Sequence, residues 1–144
     1  MPDMMHWPTT RLLSTAARLV ELSWNEKLHG LGLRFASVIA LEAVANTGPI
    51  NQAKLAAIIR IRPQTLGPIL TRLGNRGLIE RRSSLMDRRM QTVAITAAGR
   101  EVLDKARELE HSVLQELDMD SGELREQLTT LVKALGTPTT PVAH

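Results

Sequence analysis

The spacing of apolar residues changes once along this chain, and that change limits the folds open to it. Over most of the sequence, apolar side chains recur at intervals of three and four, which is typical of amphipathic helices. Two short runs, Leu78–Arg82 and Gln91–Ile95, have strand character instead and flank a polar, charged tip. The scarcity of aromatic residues (Trp7, Trp24 and Phe35) also disfavours a β-sandwich or barrel. We therefore expect a mainly α fold with a small β-hairpin.

Residues that favour the beginning or the end of a helix separate the helical segments from one another. Asn51 is a candidate N-cap, Pro63 suits a first helical position, and Gly30-Leu31-Gly32 interrupts the first helical pattern. The predicted helices run from about Thr10 to His29, Leu33 to Ala45, Gln52 to Ile59 and Pro63 to Asn75, and two more follow the caps Thr96 and Ser121. The elements follow one another as a helix, a short helix, a tight turn, another helix and a hairpin. This order predicts a winged helix-turn-helix with a further helix on either side.

The length of 144 residues suits one domain, which we expect to span residues 1–144. Within it, the winged helix-turn-helix is expected over about residues 31–99 and dimerisation helices over about 9–30 and 97–135, with a flexible tail at 136–144. The chain has no cysteine, which excludes disulfides and thiol redox sensing. Neither a signal peptide nor a membrane-spanning run is recognisable, so a cytoplasmic protein is expected.

Positive charge is concentrated in one segment. Residues 60–90 contain eight arginines but only Glu80 and Asp87 as acids, a net charge of +6, whereas residues 101–133 carry −5 and the whole chain +3. A run of arginines can simply face solvent on a hairpin. When it follows a predicted recognition helix, it favours binding to a polyanion, because arginine holds phosphates and base edges with two parallel hydrogen bonds.

Candidate DNA-binding residues lie on the second helix of the predicted motif, which would enter the major groove. Gln can pair with adenine, Arg with guanine, and Thr can donate, accept or contact a thymine methyl group. Arginines at the hairpin tip could reach phosphates or a narrow minor groove. The candidates on the helix are Pro63, Gln64, Thr65, Pro68, Thr71 and Arg72.

Several motifs resemble the MarR (multiple antibiotic resistance regulator) family of bacterial transcription factors. They are Leu31-Gly-Leu-Arg-Phe, Gly48-Pro-Ile-Asn-Gln-Ala-Lys-Leu-Ala, Pro63-Gln-Thr-Leu, Leu73-Gly-Asn-Arg-Gly-Leu-Ile-Glu-Arg-Arg, Asp87-Arg-Arg and Ala94-Ile-Thr-Ala-Ala-Gly-Arg. The resemblance covers about residues 10–135. It implies an α-helical homodimer that binds a palindromic operator and often releases it when a small aromatic or phenolic effector binds.

The resemblance also implies roles for individual residues. Gln64, Thr65, Pro68 and Arg72 fall on the groove-facing part of the recognition helix. Asp87 matches an acid that steadies the wing arginines, and Arg88 and Arg89 match the arginines that contact the minor groove or phosphate. The chain departs from the family pattern at Gly67-Pro68, where proline removes a helical hydrogen bond, and at Gly74, where the family often has Glu.

Trp24, His29 and Phe35 lie near the predicted junction of the first two helices, so they are candidates for an effector pocket. Ordinary core packing is the alternative. Arg18 and Arg34 could pair with an anionic effector, although no motif selects them. The four histidines lack metal-ligand spacing, and we expect neither a metal nor a cofactor.

The sequence thus predicts a DNA-binding transcriptional regulator, most simply a ligand-responsive repressor acting as a homodimer. An enzyme is not expected, because no phosphate-binding loop, nucleophile elbow or paired acid-base arrangement is present. The alternative is a protein–protein adaptor whose winged helix no longer binds DNA. The departure at Gly67-Pro68 is the feature that favours the adaptor.

Overall fold

A computed structural model describes residues 4–83, 91–119 and 121–136, which separate into two compact units at residues 110 and 111. Helices account for most of the described residues, and three short strands form one sheet. The elements are α1 (Thr9–Leu28), a 3-10 helix (His29–Leu31), α2 (Phe35–Thr47), β1 (Ile50–Asn51), α3 (Gln52–Ile59), α4 (Pro63–Asn75), β2 (Ile79–Ser83), β3 (Gln91–Ile95), α5 (Ala97–Gln115) and α6 (Gly122–Gly136).

Helices α3 and α4 form a helix-turn-helix joined by a tight three-residue link. The predicted N-cap is present, since Asn51 Oδ1 accepts a hydrogen bond from the Lys54 amide at 2.7 Å. Arg60 ends α3 in the left-handed conformation with φ 59°, and the amide of Ile61 donates to the Ala56 carbonyl at 3.1 Å. Pro63 then occupies the first turn of α4, where its missing N–H has no helical partner to lose. These local signals explain why the predicted bounds of α3 and α4 match the structure.

Helix α2 begins two residues later than predicted, at Phe35 rather than Leu33. Gly32 is left-handed with φ 68°, and Arg34 is extended, so the chain reverses after the 3-10 helix before α2 starts. The Phe35 amide donates to Asn25 Oδ1 at 2.7 Å, which supplies from α1 the cap that no neighbouring side chain provides.

The wing contains a third strand that the sequence analysis did not predict. Strands β2 and β3 pair antiparallel as a hairpin, with Ile79 opposite Ile95 and Ser83 opposite Gln91. The two-residue strand β1 pairs with the other edge of β3, with Ile50 opposite Val93. The sheet order is therefore β1-β3-β2, and it ties the start of α3 to the wing.

The core of the first unit is aliphatic and lies beneath the helix-turn-helix. Its fully buried side chains come from α1, α2, α3, α4, β3 and α5, and among the described residues no polar or charged side chain is buried. Those with the largest volumes are Leu28, Val38, Leu41, Val44, Leu55, Leu66, Leu70, Leu73, Val93 and Leu103. This core fixes the orientation of α4 by holding its apolar face.

The second unit, residues 111–144, contains the end of α5 and the helix α6. The predicted cap is again present, because Ser121 Oγ accepts from the Leu124 amide at 3.2 Å. Leu114 and one face of α6 (Leu124, Leu128 and Val132) line an open apolar groove of about 400 Å³. The predicted flexible tail lies outside the described residues except for Gly136, which ends α6.

A search of the described helices finds none that is individually long and apolar enough to span a membrane. The segments Thr9–Leu31 and Phe35–Thr47, with a bend of 75° between them, are together long and apolar enough to span a membrane by length and composition alone.

Candidate nucleic-acid interface

Helix α4 presents its predicted DNA-binding residues on one exposed face. Leu66, Ile69, Leu70 and Leu73 form the opposite, buried face. Because the buried residues recur at intervals of three and four, the residues between them are turned outwards. The exposed set contains all the predicted helix candidates: Pro63, Gln64, Thr65, Pro68, Thr71 and Arg72. Their amide, hydroxyl and guanidinium groups are the chemistry that reads base edges.

Pro68 does not interrupt the predicted recognition helix, because α4 runs continuously from Pro63 to Asn75. Proline at position 68 leaves the Gln64 carbonyl without its usual helical donor. One turn further, the Gly67 carbonyl accepts from Thr71 Oγ1 at 3.0 Å and from Arg81 Nη2 on β2 at 3.4 Å. A side chain of the wing thus contacts the middle of the helix. The Thr71 hydroxyl donates within the helix and keeps its lone pairs for an outside donor.

Gly67 also lies where α4 approaches α3. A Cβ added at this glycine would lie 3.6 Å from Gln52 Nε2, an ordinary contact distance. An alanine side chain at position 67 would therefore make an ordinary contact with α3, so the crossing of α3 and α4 does not require glycine there. Both residues of Gly67-Pro68 are accommodated within a regular helix-turn-helix.

Arg76, which the sequence analysis did not select, fastens the end of α4 to the turn before α2. Its Nη1 donates to the Gly32 carbonyl and its Nη2 to the Leu31 carbonyl, each at 2.8 Å. The guanidinium lies so close to Gly32 that an added Cβ would be 3.2–3.3 Å from three of its atoms. These bonds join residues 44 and 45 positions apart, so no local sequence signal could have predicted them.

Beside this contact lies an open cleft of about 250 Å³, which we call the arginine cleft. Leu33 and Leu73 line it with apolar side chains, and both are buried. Its other lining residues are polar or basic, and none is acidic: Gly32, Arg34, Ser37, Arg72, Asn75 and Arg76. The cleft brings Arg34, noted in the sequence as a candidate for an anionic effector, together with Arg72 of the recognition helix.

The candidate effector residues are only partly brought together. The rings of Trp24 and Phe35 meet edge to face, with centroids 5.1 Å apart, whereas His29 is exposed. Trp24 is 5% exposed, and its Nε1 is the buried side-chain nitrogen that has no hydrogen-bond partner within the described residues. An unpaired buried N–H costs about 1–3 kcal/mol, so this indole lowers the stability of the corner unless an acceptor is supplied.

The candidate wing residues Asp87, Arg88 and Arg89 lie in residues 84–90, outside the described part of the chain. The described part of the wing adds Arg81 and Arg82, both exposed, and Arg82 forms an ion pair with Glu80 at 3.0 Å. No cluster of three or more His, Asp or Glu side chains that could hold a metal ion occurs among the described residues.

Helices α2, α3 and α4 packed on an aliphatic core, together with the sheet β1-β3-β2, define a winged helix-turn-helix protein. The MarR family model matches residues 37–90 of the chain. The chain is 33% identical over 96 residues to the transcriptional regulator HosA of Escherichia coli O111:H-, covering 66% of this chain and 71% of that protein. It therefore belongs to the MarR family, and it is a transcriptional regulator rather than an enzyme, as predicted.

Solved structures agree with this assignment. A MarR-family transcriptional regulator from Rhodococcus sp. RHA1 superposes with a TM-score of 0.79 at 25% identity, covering 89% of this chain and 91% of that one. CouR from Rhodococcus jostii RHA1, solved with p-coumaroyl-CoA bound, gives a TM-score of 0.76 with the same identity and coverage. The predicted fold, mainly α with a small β wing, is confirmed.

Proposed function

We propose that this regulator is a homodimeric repressor that binds a palindromic operator in double-stranded DNA. The observation that carries the proposal is the exposed face of α4, where Gln64, Thr65 and Arg72 project from a helix whose other face is buried. In a winged helix-turn-helix, the residues at the start of this helix contact base edges. The net charge of +6 over residues 60–90 supports binding to a polyanion.

Arg88 and Arg89 are proposed to bind phosphate or to enter the minor groove, with Asp87 holding their side chains. This part of the proposal depends on the sequence motif, because the three residues lie outside the described part. Arg81 supports it from the described part, since its contact with Gly67 places a wing arginine beside the recognition helix.

The homodimer is supported by apolar side chains left at the surface of both terminal helices. Leu12 and Leu19, two helical turns apart on α1, are 40% and 58% exposed. On α6, Val132 and Leu135 are 65% and 77% exposed. A second copy that covered them would bury apolar area at about 25 cal/mol per Å². A two-fold dimer would also place two recognition helices in successive major grooves.

A small aromatic or phenolic effector is proposed to bind near Trp24 and Phe35 and to release the DNA. The unpartnered Nε1 of Trp24 offers a hydrogen bond to such a ligand. CouR, a structural relative at 25% identity, was solved with p-coumaroyl-CoA, a phenolic thioester. The effector must bind the DNA-free arrangement of the dimer more tightly than the DNA-bound one, since only that difference shifts the equilibrium.

DNA binding is tested by selecting a preferred duplex from random sequences and measuring its affinity for the full chain at several salt concentrations. We expect log affinity to fall linearly with log salt concentration, by about 0.9 for each phosphate contacted. Gln64→Ala should relax preference at one base pair, by about 1–3 kcal/mol. Changing Arg88 and Arg89 to Ala should weaken binding to all sequences alike.

Arg100→Ala, which removes an exposed arginine at the start of α5, is the control for charge alone. A flat salt response, or no preference over random duplexes, would contradict the proposal. It would favour the alternative of a protein–protein adaptor. Gly67-Pro68, the departure that favours an adaptor, does not interrupt α4, which continues as a helix through both residues.

A further inference from the structure

We propose that the arginine cleft is an oxyanion site, which binds a carboxylate or phosphate group through the guanidinium groups of Arg34 and Arg72. The proposal deepens the proposed function and rests on it in one respect, because Arg72 also belongs to the DNA-binding face of α4.

The lining of the cleft is complementary to an anion. Arg34, Arg72 and Arg76 contribute three positive charges, and no acidic side chain lines the cleft. Within the described residues, neither Arg34 nor Arg72 forms an ion pair or a side-chain hydrogen bond. Both guanidinium groups thus keep all their donors, and an oxyanion that accepted from both would relieve the repulsion between like charges. Ser37 adds a hydroxyl donor at the same cleft.

Arg76 lines one side of this site in a fixed position, and it is not one of the two arginines proposed to bind the anion. Its two bonds to the carbonyls of Leu31 and Gly32 hold the guanidinium in place, and three of its five N–H groups are left over. The same bonds hold the turn before α2 against the end of α4, so Arg34 and Arg72 are presented from two connected elements. A preorganised site loses less side-chain entropy when its ligand binds.

The position of Arg72 links the oxyanion to DNA binding. A guanidinium that holds an anion in the cleft cannot at the same time extend to a base edge. A free carboxylate or phosphate compound would therefore compete with DNA for Arg72. The same chemistry could instead come from a backbone phosphate of the DNA itself. In that case Arg72 contacts this phosphate rather than a base edge, and Arg34 adds a second guanidinium to the same phosphate contact.

The site is tested first without DNA, by calorimetric titration of the full chain with inorganic phosphate. We expect saturable binding of one phosphate per chain, weakened about tenfold or more by Arg34→Gln and measurably weakened by Ser37→Ala. Arg100→Gln, which removes the same charge from an exposed position outside the cleft, should leave it unchanged. Absence of saturable binding, or an equal effect of the two arginine variants, would overturn the proposal. Because no DNA is present, failure of the proposed function would leave this result unaffected.

The source of the oxyanion is then identified with a non-specific duplex. If it is a free compound, phosphate weakens DNA binding more than chloride does at equal ionic strength, and Arg34→Gln abolishes the difference. If it is a DNA phosphate, Arg34→Gln reduces the slope of log affinity against log salt by about one. Either result supports the oxyanion site. If Arg34→Gln changes neither the specific effect of phosphate on DNA binding nor the salt slope, the proposal is overturned.

Discussion

At the residue scale, Gly99 lies where the first turn of α5 passes the backbone that enters the wing. A Cβ at this position would lie 2.1 Å from the Leu78 carbonyl oxygen, a distance that no packed structure tolerates. Thr96 holds the same junction: its Oγ1 donates to the Gly77 carbonyl at 2.7 Å and accepts from the Gly99 amide at 3.0 Å. The motif Ile95-Thr-Ala-Ala-Gly, which carried part of the family resemblance, therefore has a structural explanation.

Gly99→Ala should lower the free energy of unfolding by about 3 kcal/mol, because backbone must move to admit the methyl group. Gly74→Ala is the matched control. It lies in α4 with nothing within 4 Å of an added Cβ, so it should raise stability by about 0.5 kcal/mol through reduced chain entropy. Chemical denaturation of both variants measures the two changes. Equal effects of the two substitutions would contradict this account of the junction.

At the scale of elements, the sequence was most informative where the determinants are local. Asn51 and Pro63 predicted the starts of α3 and α4 because a cap and an N1 proline act within one helical turn. Strand β1 could not be predicted, since its two residues become a strand only by pairing with β3, with Ile50 opposite Val93. The arginine cleft was missed for the same reason: its walls come from the turn before α2, the start of α2 and the end of α4, which Arg76 joins.

Pro68→Ala should stabilise α4, because it returns an N–H to the Gln64 carbonyl and its exposed ring contributes no core packing. Interior proline costs about 3 kcal/mol relative to Ala in a helix, so a rise of about 1–3 kcal/mol in unfolding free energy is expected. Pro63→Ala, at the first turn of the same helix, should change stability little, since no helical hydrogen bond is gained there. Thermal unfolding of both variants distinguishes the positions, and equal shifts would argue against the missing bond as the cause.

At the scale of the whole molecule, the main block of positive charge and the exposed leucines occupy different segments of the chain. The arginine-rich segment at residues 60–90 carries the proposed DNA-binding elements, whereas residues 101–133 are acidic. Among the described residues, the exposed leucines lie on α1, on α6 and at Leu117, all outside the arginine-rich segment. The sequence predicted this division from its charge pattern, but the exposure of Leu19 could only be read from the structure, because an amphipathic stripe packs equally well within one chain or between two.

Leu19→Glu should weaken the proposed homodimer. Burial of one leucine contributes about 1.5–3 kcal/mol and the two-fold dimer contains two copies, so the dimer dissociation constant should rise about a hundredfold or more. Ile58→Glu is the control, because Ile58 is similarly exposed (53% against 58%) but belongs to α3 of the helix-turn-helix rather than to a terminal helix. Sedimentation velocity over a range of protein concentrations gives the mass of each variant. A wild-type chain that sediments as a monomer throughout would contradict the homodimer.

The Trp24 indole N–H, which has no partner within the described residues, makes the proposed effector site accessible to fluorescence. The chain has no tyrosine and only two tryptophans, and the other, Trp7, lies half-buried beside Arg11, whose guanidinium carbon is 5.6 Å from the ring centroid. With Trp7 replaced by Phe, near-ultraviolet excitation would report on a single buried indole. Its emission responds to polarity and hydrogen bonding at the N–H, so any compound that supplies the missing acceptor would change the emission colour without a label. The proposed effector site therefore contains its own fluorescent reporter for a screen of candidate compounds.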